Sequence, residues 1–200
     1  MLSIASTSTH IRDDTNEFLK LQQRFQHTHA IILSDILEHQ LLNKLQKILE
    51  TIEYFPRVIP VGIQDVGKHN RASSILNLVL ARPALYRWLE NLLDCDPIIG
   101  VEGAVMRLSH GQCLDWHDDM NDERRALAIT ICLSDRPYQG GEFQIRRKKT
   151  KELLFSHLHS TLGTAVIFEI NRELEHRVQE IHSAESRIVY AGWFLKGKST

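Results

Sequence analysis

Cysteine is scarce in this chain: Cys95, Cys113 and Cys132 are the only three in 200 residues. No two of them form a C-x-x-C zinc or redox pair, and three scattered thiols cannot frame a disulfide scaffold. Long apolar runs are also missing, none approaching the ~18–20 residues of a membrane span. The opening MLSIASTSTH has no basic start and only a short apolar piece, which argues against a secretory signal. Charge of one sign is not in excess: Lys plus Arg is 24, Asp plus Glu is 25, and the formal net charge is −1. That balance excludes a generally basic nucleic-acid coat and an acidic disordered solvator. What remains is 42% hydrophobic and 24% charged, the composition of an ordinary globular domain. A cytoplasmic, reduced protein is the expectation. Histidine is abundant, with eleven residues, so the question is which of them do chemistry.

The two halves of the chain differ in texture. Residues 1–14 are Ser/Thr-rich at the start and are expected to be disordered. Phe18, Leu21 and Phe25 recur at helical spacing, predicting an amphipathic helix over 15–28. HAIIL at 29–33 reads as a short strand, followed by Ser34-Asp35 as capping chemistry and a helix over about 36–53. Pro56 and Pro60 end that element, and 61–72 reads as a loop. Pro83 opens another helix over roughly 83–94. From Pro97 onward come short β-like runs at 98–108, 126–133, 142–146, 164–170, 174–181 and 187–195, separated by turn residues. Helices first and strands afterwards predict an α+β fold with a sandwich or barrel as its main body. The helical part covers about 15–96 and the β part about 97–196, in one domain over 15–200.

The chemistry centres on CLDWHDDM. In an extended chain residues i and i+2 point to one side, so His117 and Asp119 project together while Asp118 points away. That suits two adjacent positions on a divalent metal. An H-x-D alone is weak, because eleven His and eleven Asp in 200 residues give about 0.6 such matches by chance. A third ligand from a later strand would make the 2-His-1-carboxylate set that binds Fe(II) and leaves positions open. His176 alternates with Leu174 and Val178 and can face an apolar interior with them. His182 is a rival at a turn, and the pair His157 and His159 is a second rival. Arg187 opens an apolar strand; if that strand lines a barrel, its guanidinium needs an anionic partner such as a carboxylate. Trp116 and Trp193 read as packing, and the three cysteines as buried hydrophobes.

The order His117-x-Asp119, CLSD, Tyr138-Gln139-Gly140-Gly141-Glu142, His176-x-Val178 and Arg187 followed by Trp193-Phe194 resembles the iron(II)- and 2-oxoglutarate-dependent oxygenases. Within that family it is most similar to the prolyl 4-hydroxylase-like branch, over about residues 29–195. The resemblance implies a double-stranded β-helix (jelly roll) core with N-terminal helices packed on one sheet. It implies that His117, Asp119 and His176 hold the iron and that Arg187 binds the 5-carboxylate of 2-oxoglutarate. Gly140-Gly141 would then be structural, at a tight turn or bulge. Leu108, Cys132 and Val189 stand where relatives often carry cosubstrate-holding groups, so the contacts of the cosubstrate differ here.

The resemblance further implies Fe(II), 2-oxoglutarate as cosubstrate and O₂, with ascorbate as a candidate reductant. The reaction would be hydroxylation of an unactivated C–H, coupled to decarboxylation of the cosubstrate to succinate and CO₂. A protein or peptide side chain such as proline is the favoured substrate, with a free amino acid or small metabolite as the alternative. Nucleic acid is disfavoured: the repair-demethylase branch carries a second Arg six after the first, where this chain has Trp193. A membrane partner is not expected, and the run Arg146-Arg147-Lys148-Lys149-Thr150-Lys151 reads as a solvated loop. Two readings of other classes stand beside this one: a catalytically silent jelly-roll binding module, and a cupin-type metalloenzyme built on His157 and His159.

Overall fold

The computed structural model describes residues 2–12, 14–68 and 71–197. Their elements are, in order, β1 (Leu2–Ile4), β2 (Thr9–Ile11), α1 (Thr15–Thr28), β3 (Ala30–Leu33), α2 (His39–Leu49), β4 (Tyr54–Ile59), β5 (Gly62–Gly67), α3 (Arg71–Leu80), α4 (Pro83–Leu93), β6 (Ile98–Leu108), β7 (Leu114–His117), β8 (Arg125–Cys132), β9 (Phe143–Arg147), β10 (Leu153–His157), β11 (Ala165–Glu169), β12 (Leu174–Val178) and β13 (Arg187–Lys196). Apart from the β1–β2 pair, the strands form one antiparallel path, β10-β9-β12-β7-β5-β6-β13-β8-β11-β3, with β4 added to β5. The path curls into a nearly closed sandwich, the expected jelly roll, and the helices cover one of its faces.

Alternation along the strands builds two interiors. Leu127, Ile129 and Ile131 of β8 and Tyr190 and Phe194 of β13 pack with Leu41 and Leu45 of α2, Leu76 of α3 and Leu89 of α4. Their neighbours Ala128, Val166 and Phe168 turn the other way, toward Phe143, Ile145, Leu174 and Val178 of the second layer. Period-two alternation thus gives each central strand a helix-facing side and a lumen-facing side.

Local chemistry explains where the helices start. The Asp14 carboxylate accepts from the amides of Asn16 and Glu17, each at 3.0 Å, and fixes the start of α1. His29 ends it in the left-handed region, at φ 56°. Pro83 occupies the first turn of α4.

Several expectations need correction. Most of the stretch 1–14, expected to be disordered, is paired; Met1 and Asp13 lie outside the described residues. Backbone bonds Ile4 N–H to Ile36 C=O (2.7 Å) and Glu38 N–H to Ile4 C=O (2.9 Å) dock β1, and Leu2 and Ile4 are buried. The same docking holds Ile36 and Leu37 outside the helix, so α2 starts at His39. Residues 61–72 are not a loop throughout: β5 fills the gap between β6 and β7, and α3 begins at Arg71, with His69 and Asn70 outside the described residues. Pro56 lies inside β4, which pairs on one side only, an edge where a missing N–H is tolerated. Cys132 is buried as expected, whereas Cys95 and Cys113 are only partly so.

Candidate metal centre

Strands β7 and β12 bring two of the three candidate ligands face to face. His117 pairs with His176, and Leu114 pairs with Val178. Three steps on β7 therefore match two on β12, a bulge that re-aims the end of β7 toward the lumen. Asp119 is not on the strand: the chain turns after His117, and Asp119 sits at φ 56°. Its side chain joins the histidines through that turn, not through the extended i, i+2 geometry expected from the sequence. Aspartate is among the few residues that adopt the left-handed region readily.

The ligand-type atoms of His117, Asp119 and His176 lie within 4.8 Å of one another. His117 Nε2 is 3.7 Å from Asp119 Oδ1, and His176 Nε2 is 3.5 Å from Asp119 Oδ2. The Asp115 carbonyl lies 2.7 Å from His117 Nδ1; donation from that nitrogen leaves Nε2 as the lone-pair nitrogen facing the cluster. Burial, and then the neighbouring His176, push the His117 pKa down, which favours the neutral, ligating form. Burial alone would raise Asp119, but the two imidazoles and the Trp193 indole N–H outweigh it and hold the carboxyl well below its usual range. These donors suit a hard or borderline divalent ion held by two imidazoles and one carboxylate.

A supporting shell orients the carboxylate. Trp193 Nε1–H donates to Asp119 Oδ2 at 2.9 Å. The Arg125 guanidinium stacks 3.7 Å over the Trp193 ring and donates to the Asp119 carbonyl and the Asn121 side chain. Trp193 therefore does more than pack. Trp116 lies under Arg146 and Arg177, in cation–π contact with both. Asp118 lines the same cavity but does not join the cluster, and it takes Lys148 Nζ at 2.6 Å. The basic run is locally neutralised: Arg146 and Lys151 pair with Glu175, Arg147 with Glu152.

Arg187 opens β13 at the lumen and is 3% exposed. Its Nε and Nη2 have no hydrogen-bond partner among the described residues, and a planar guanidinium left so can take a carboxylate. Gly140 and Gly141 sit at φ 79° and 68°. A Cβ on Gly140 would lie 2.0 Å from the Glu180 carbonyl, and one on Gly141 2.5 Å from the Ile181 Cδ1, so the turn has no room for a side chain at either position. The triad and Arg187 line one cavity of about 630 Å³, with Met106, Thr130 and Phe143 among its other walls. A more open concavity of about 960 Å³ beside α2 shares no lining residue with it and, among the described residues, gathers no cluster of ligand-type side chains.

The rival histidines stay apart. His157 and His159 have ring centroids 5.9 Å apart, and no third ligand-type side chain joins them among the described residues. His182 is exposed beside Glu180.

Residues 103–195 match the family model described as the 2OG-Fe(II) oxygenase superfamily, a stretch that contains all three clustered residues and Arg187. No curated protein matches in sequence. Among solved structures, a prolyl-4-hydroxylase from Pseudomonas putida superposes with a TM-score of 0.67 at 15% identity, covering 90% of this chain and 100% of that one. A prolyl hydroxylase from Trichoplax adhaerens, in complex with a hypoxia-inducible-factor peptide fragment, gives 0.66 at 14% identity, covering 92% and 94%. The alpha-ketoglutarate-dependent epimerase SnoN of nogalamycin biosynthesis gives 0.67 at 12% identity, covering 92% and 84%. At these identities the structures show a shared fold. Residues 103–195 are therefore similar to the 2OG-Fe(II) oxygenase superfamily, and this match, with the shared fold and the His117–Asp119–His176 cluster, supports a 2-oxoglutarate-dependent dioxygenase working with Fe(II), 2-oxoglutarate and O₂.

Proposed function

We propose that His117, Asp119 and His176 hold Fe(II), that Arg187 holds the 5-carboxylate of 2-oxoglutarate, and that the enzyme hydroxylates an unactivated C–H on a protein or peptide side chain such as proline. The observation that carries this reading is one cavity with the three-residue cluster and an unpartnered buried guanidinium in its wall. When bound, the iron and cosubstrate would supply O₂ activation coupled to decarboxylation to succinate and CO₂. The chain's own residues bind, orient and exclude water. Asp115 fixes the His117 tautomer, Trp193 and Arg125 fix the Asp119 carboxylate, and Phe143 and Phe168 dry the wall beside His176.

The peptide reading draws on the fold shared with the two prolyl hydroxylases, one of which is seen with a peptide fragment. It is helped by the β4–β5 hairpin, whose Arg57, Ile59 and Pro60 line the cavity. Arg125 also lines the cavity, with a buried, unpartnered Nε that can donate to a backbone carbonyl of such a substrate. A small molecule is the second reading, favoured by the epimerase likeness. We read residues 15–200 as one dioxygenase domain, because the helical and β parts share a single apolar cluster. We place it in the cytoplasm; no helix among the described residues is long and apolar enough to cross a membrane.

The test is succinate release from 2-oxoglutarate in the presence of proline-containing peptides, free amino acids or no substrate. Peptide-stimulated turnover that is lost in His117→Ala supports the proposal. Stimulation by free amino acids alone moves the substrate to the small-molecule class. A folded, iron-loaded protein with no turnover under any of these conditions points to the silent binding module.

A further inference from the structure

The cavity is charged unequally along the β6–β13 pair. Arg187 of β13 stands opposite Leu108 of β6, and six positions further along the pair Trp193 stands opposite Glu102. That spacing puts the two rungs about 20 Å apart. Both face the lumen: Trp193 reaches Asp119, and Arg187 and Glu102 line the same cavity. Ala191 and Ala104, an opposed pair one step inward from Trp193 and Glu102, leave the wall between the rungs open. The other charged side chains of this wall are mostly satisfied. Asp118 takes Lys148, Arg107 takes Asp65, and Arg125 is held by Asn121 and the Asp119 carbonyl. Arg57 is exposed on the edge strand β4. Glu102 is partly buried, yet its carboxylate has no ion pair and no hydrogen bond among the described residues. Arg124 feels the Glu102 charge but is tied to Asp122 at 2.6 Å.

We infer that Glu102 receives a cationic group of the substrate, an ammonium or guanidinium, and so selects substrates that carry one close to the reacting carbon. The inference rests on the hydroxylase reading of the cavity and names the substrate class that it takes. The positive end at Arg187 suits an anionic cosubstrate. The carboxylate at the other end repels a second anion and attracts a cation, so one residue both favours the right occupant and rejects the wrong one. A carboxylate partly withdrawn from water loses hydration that a charge-assisted hydrogen bond from such a group restores. Trp193 links this position to the chemistry. It is the direct cross-strand neighbour of Glu102, and its indole bonds the carboxylate of the metal cluster. A cation held by Glu102 therefore lies beside the wall that touches the cluster.

The test is calorimetric binding near neutral pH to anaerobic protein loaded with Fe(II) and 2-oxoglutarate, which needs no turnover. Three N-acetylated, C-amidated proline peptides are compared, alike except that the proline is flanked by lysine, alanine or glutamate. Prolinamide and N-acetylprolinamide form a second pair, one with the ammonium and one without. In at least one of the two sets the cationic probe is expected to bind about tenfold tighter than its neutral counterpart, in the range of one hydrogen bond between charged groups. Glu102→Gln keeps the shape and removes the charge; in protein that still binds 2-oxoglutarate it should bring that ratio to within about twofold. Glu102→Lys should reverse the order and favour the glutamate-flanked peptide. A preference confined to prolinamide and lost in Glu102→Gln upholds the inference and moves the substrate to the small-molecule class. Equal binding of cationic and neutral probes, or a preference that survives Glu102→Gln, would overturn the inference. Binding of no probe would overturn it as well. Succinate release in the same mixtures after oxygen is admitted reads the hydroxylase proposal separately.

Discussion

The two faces of strand β13 follow different rules. Tyr190 and Phe194 face the helices, are 0% exposed, and sit in a dry cluster of Leu and Ile side chains. Arg187 and Trp193, on the opposite face, meet a cavity, and Arg187 is buried with two nitrogens unpartnered. The first face follows what stability demands. The second carries a buried guanidinium with two unpartnered nitrogens, which the proposed carboxylate ligand would satisfy. The strand thus holds the site rigid from behind while leaving polar groups unsatisfied in front. Stability and function are divided by the parity of the residue number.

Substitutions on the two faces should separate accordingly. Phe194→Ala opens a cavity in the helix-facing core and is expected to cost about 3–5 kcal/mol, read as a lowered denaturation midpoint. Arg187→Met should act in the opposite sense on the metal-free protein. Removing an unpaired buried cation is expected to stabilise it by about 1–3 kcal/mol, while the apparent KM for 2-oxoglutarate rises by at least tenfold. A destabilised Arg187→Met protein would mean that Arg187 is already paired in the free enzyme. Trp193→Phe keeps most of the ring and loses the donor to Asp119 Oδ2. Fe(II) affinity should fall by about tenfold with little change in melting temperature, as is typical when a group orienting a ligand is lost. Lys148→Ala breaks the half-exposed pair with Asp118 and should change stability by less than about 1 kcal/mol, with metal affinity unaltered.

The strands of the jelly roll were legible because their apolar residues alternate, and α1 and α4 because their caps and Pro83 are local signals. Elements held by non-local bonds were not. The inward residues of β5 include Gln64 and Asp65, and the Asp65 carboxylate is satisfied by Arg107 and Gln112, so the apolar alternation that marks a strand is absent. β1 spans three residues and depends on backbone bonds to Ile36 and Glu38. At the site, the sequence pointed to the residues that meet, but not to the way they meet. The bulge in β7 and the left-handed turn at Asp119 do what a straight extended segment was expected to do. The Trp193 bond had no sequence signal, because an aromatic residue in a strand looks the same whether it packs or binds.

The most direct test of the account is the visible spectrum of the apo-protein under anaerobic conditions after adding Fe(II) and then 2-oxoglutarate. A weak charge-transfer band near roughly 500–530 nm is expected for a chelated keto acid on a 2-His-1-carboxylate iron site. The account predicts the band in the wild type and in His157→Ala, and its loss in folded His176→Ala. A band that survives His176→Ala, or that disappears with His157→Ala, would contradict the assignment of the metal centre.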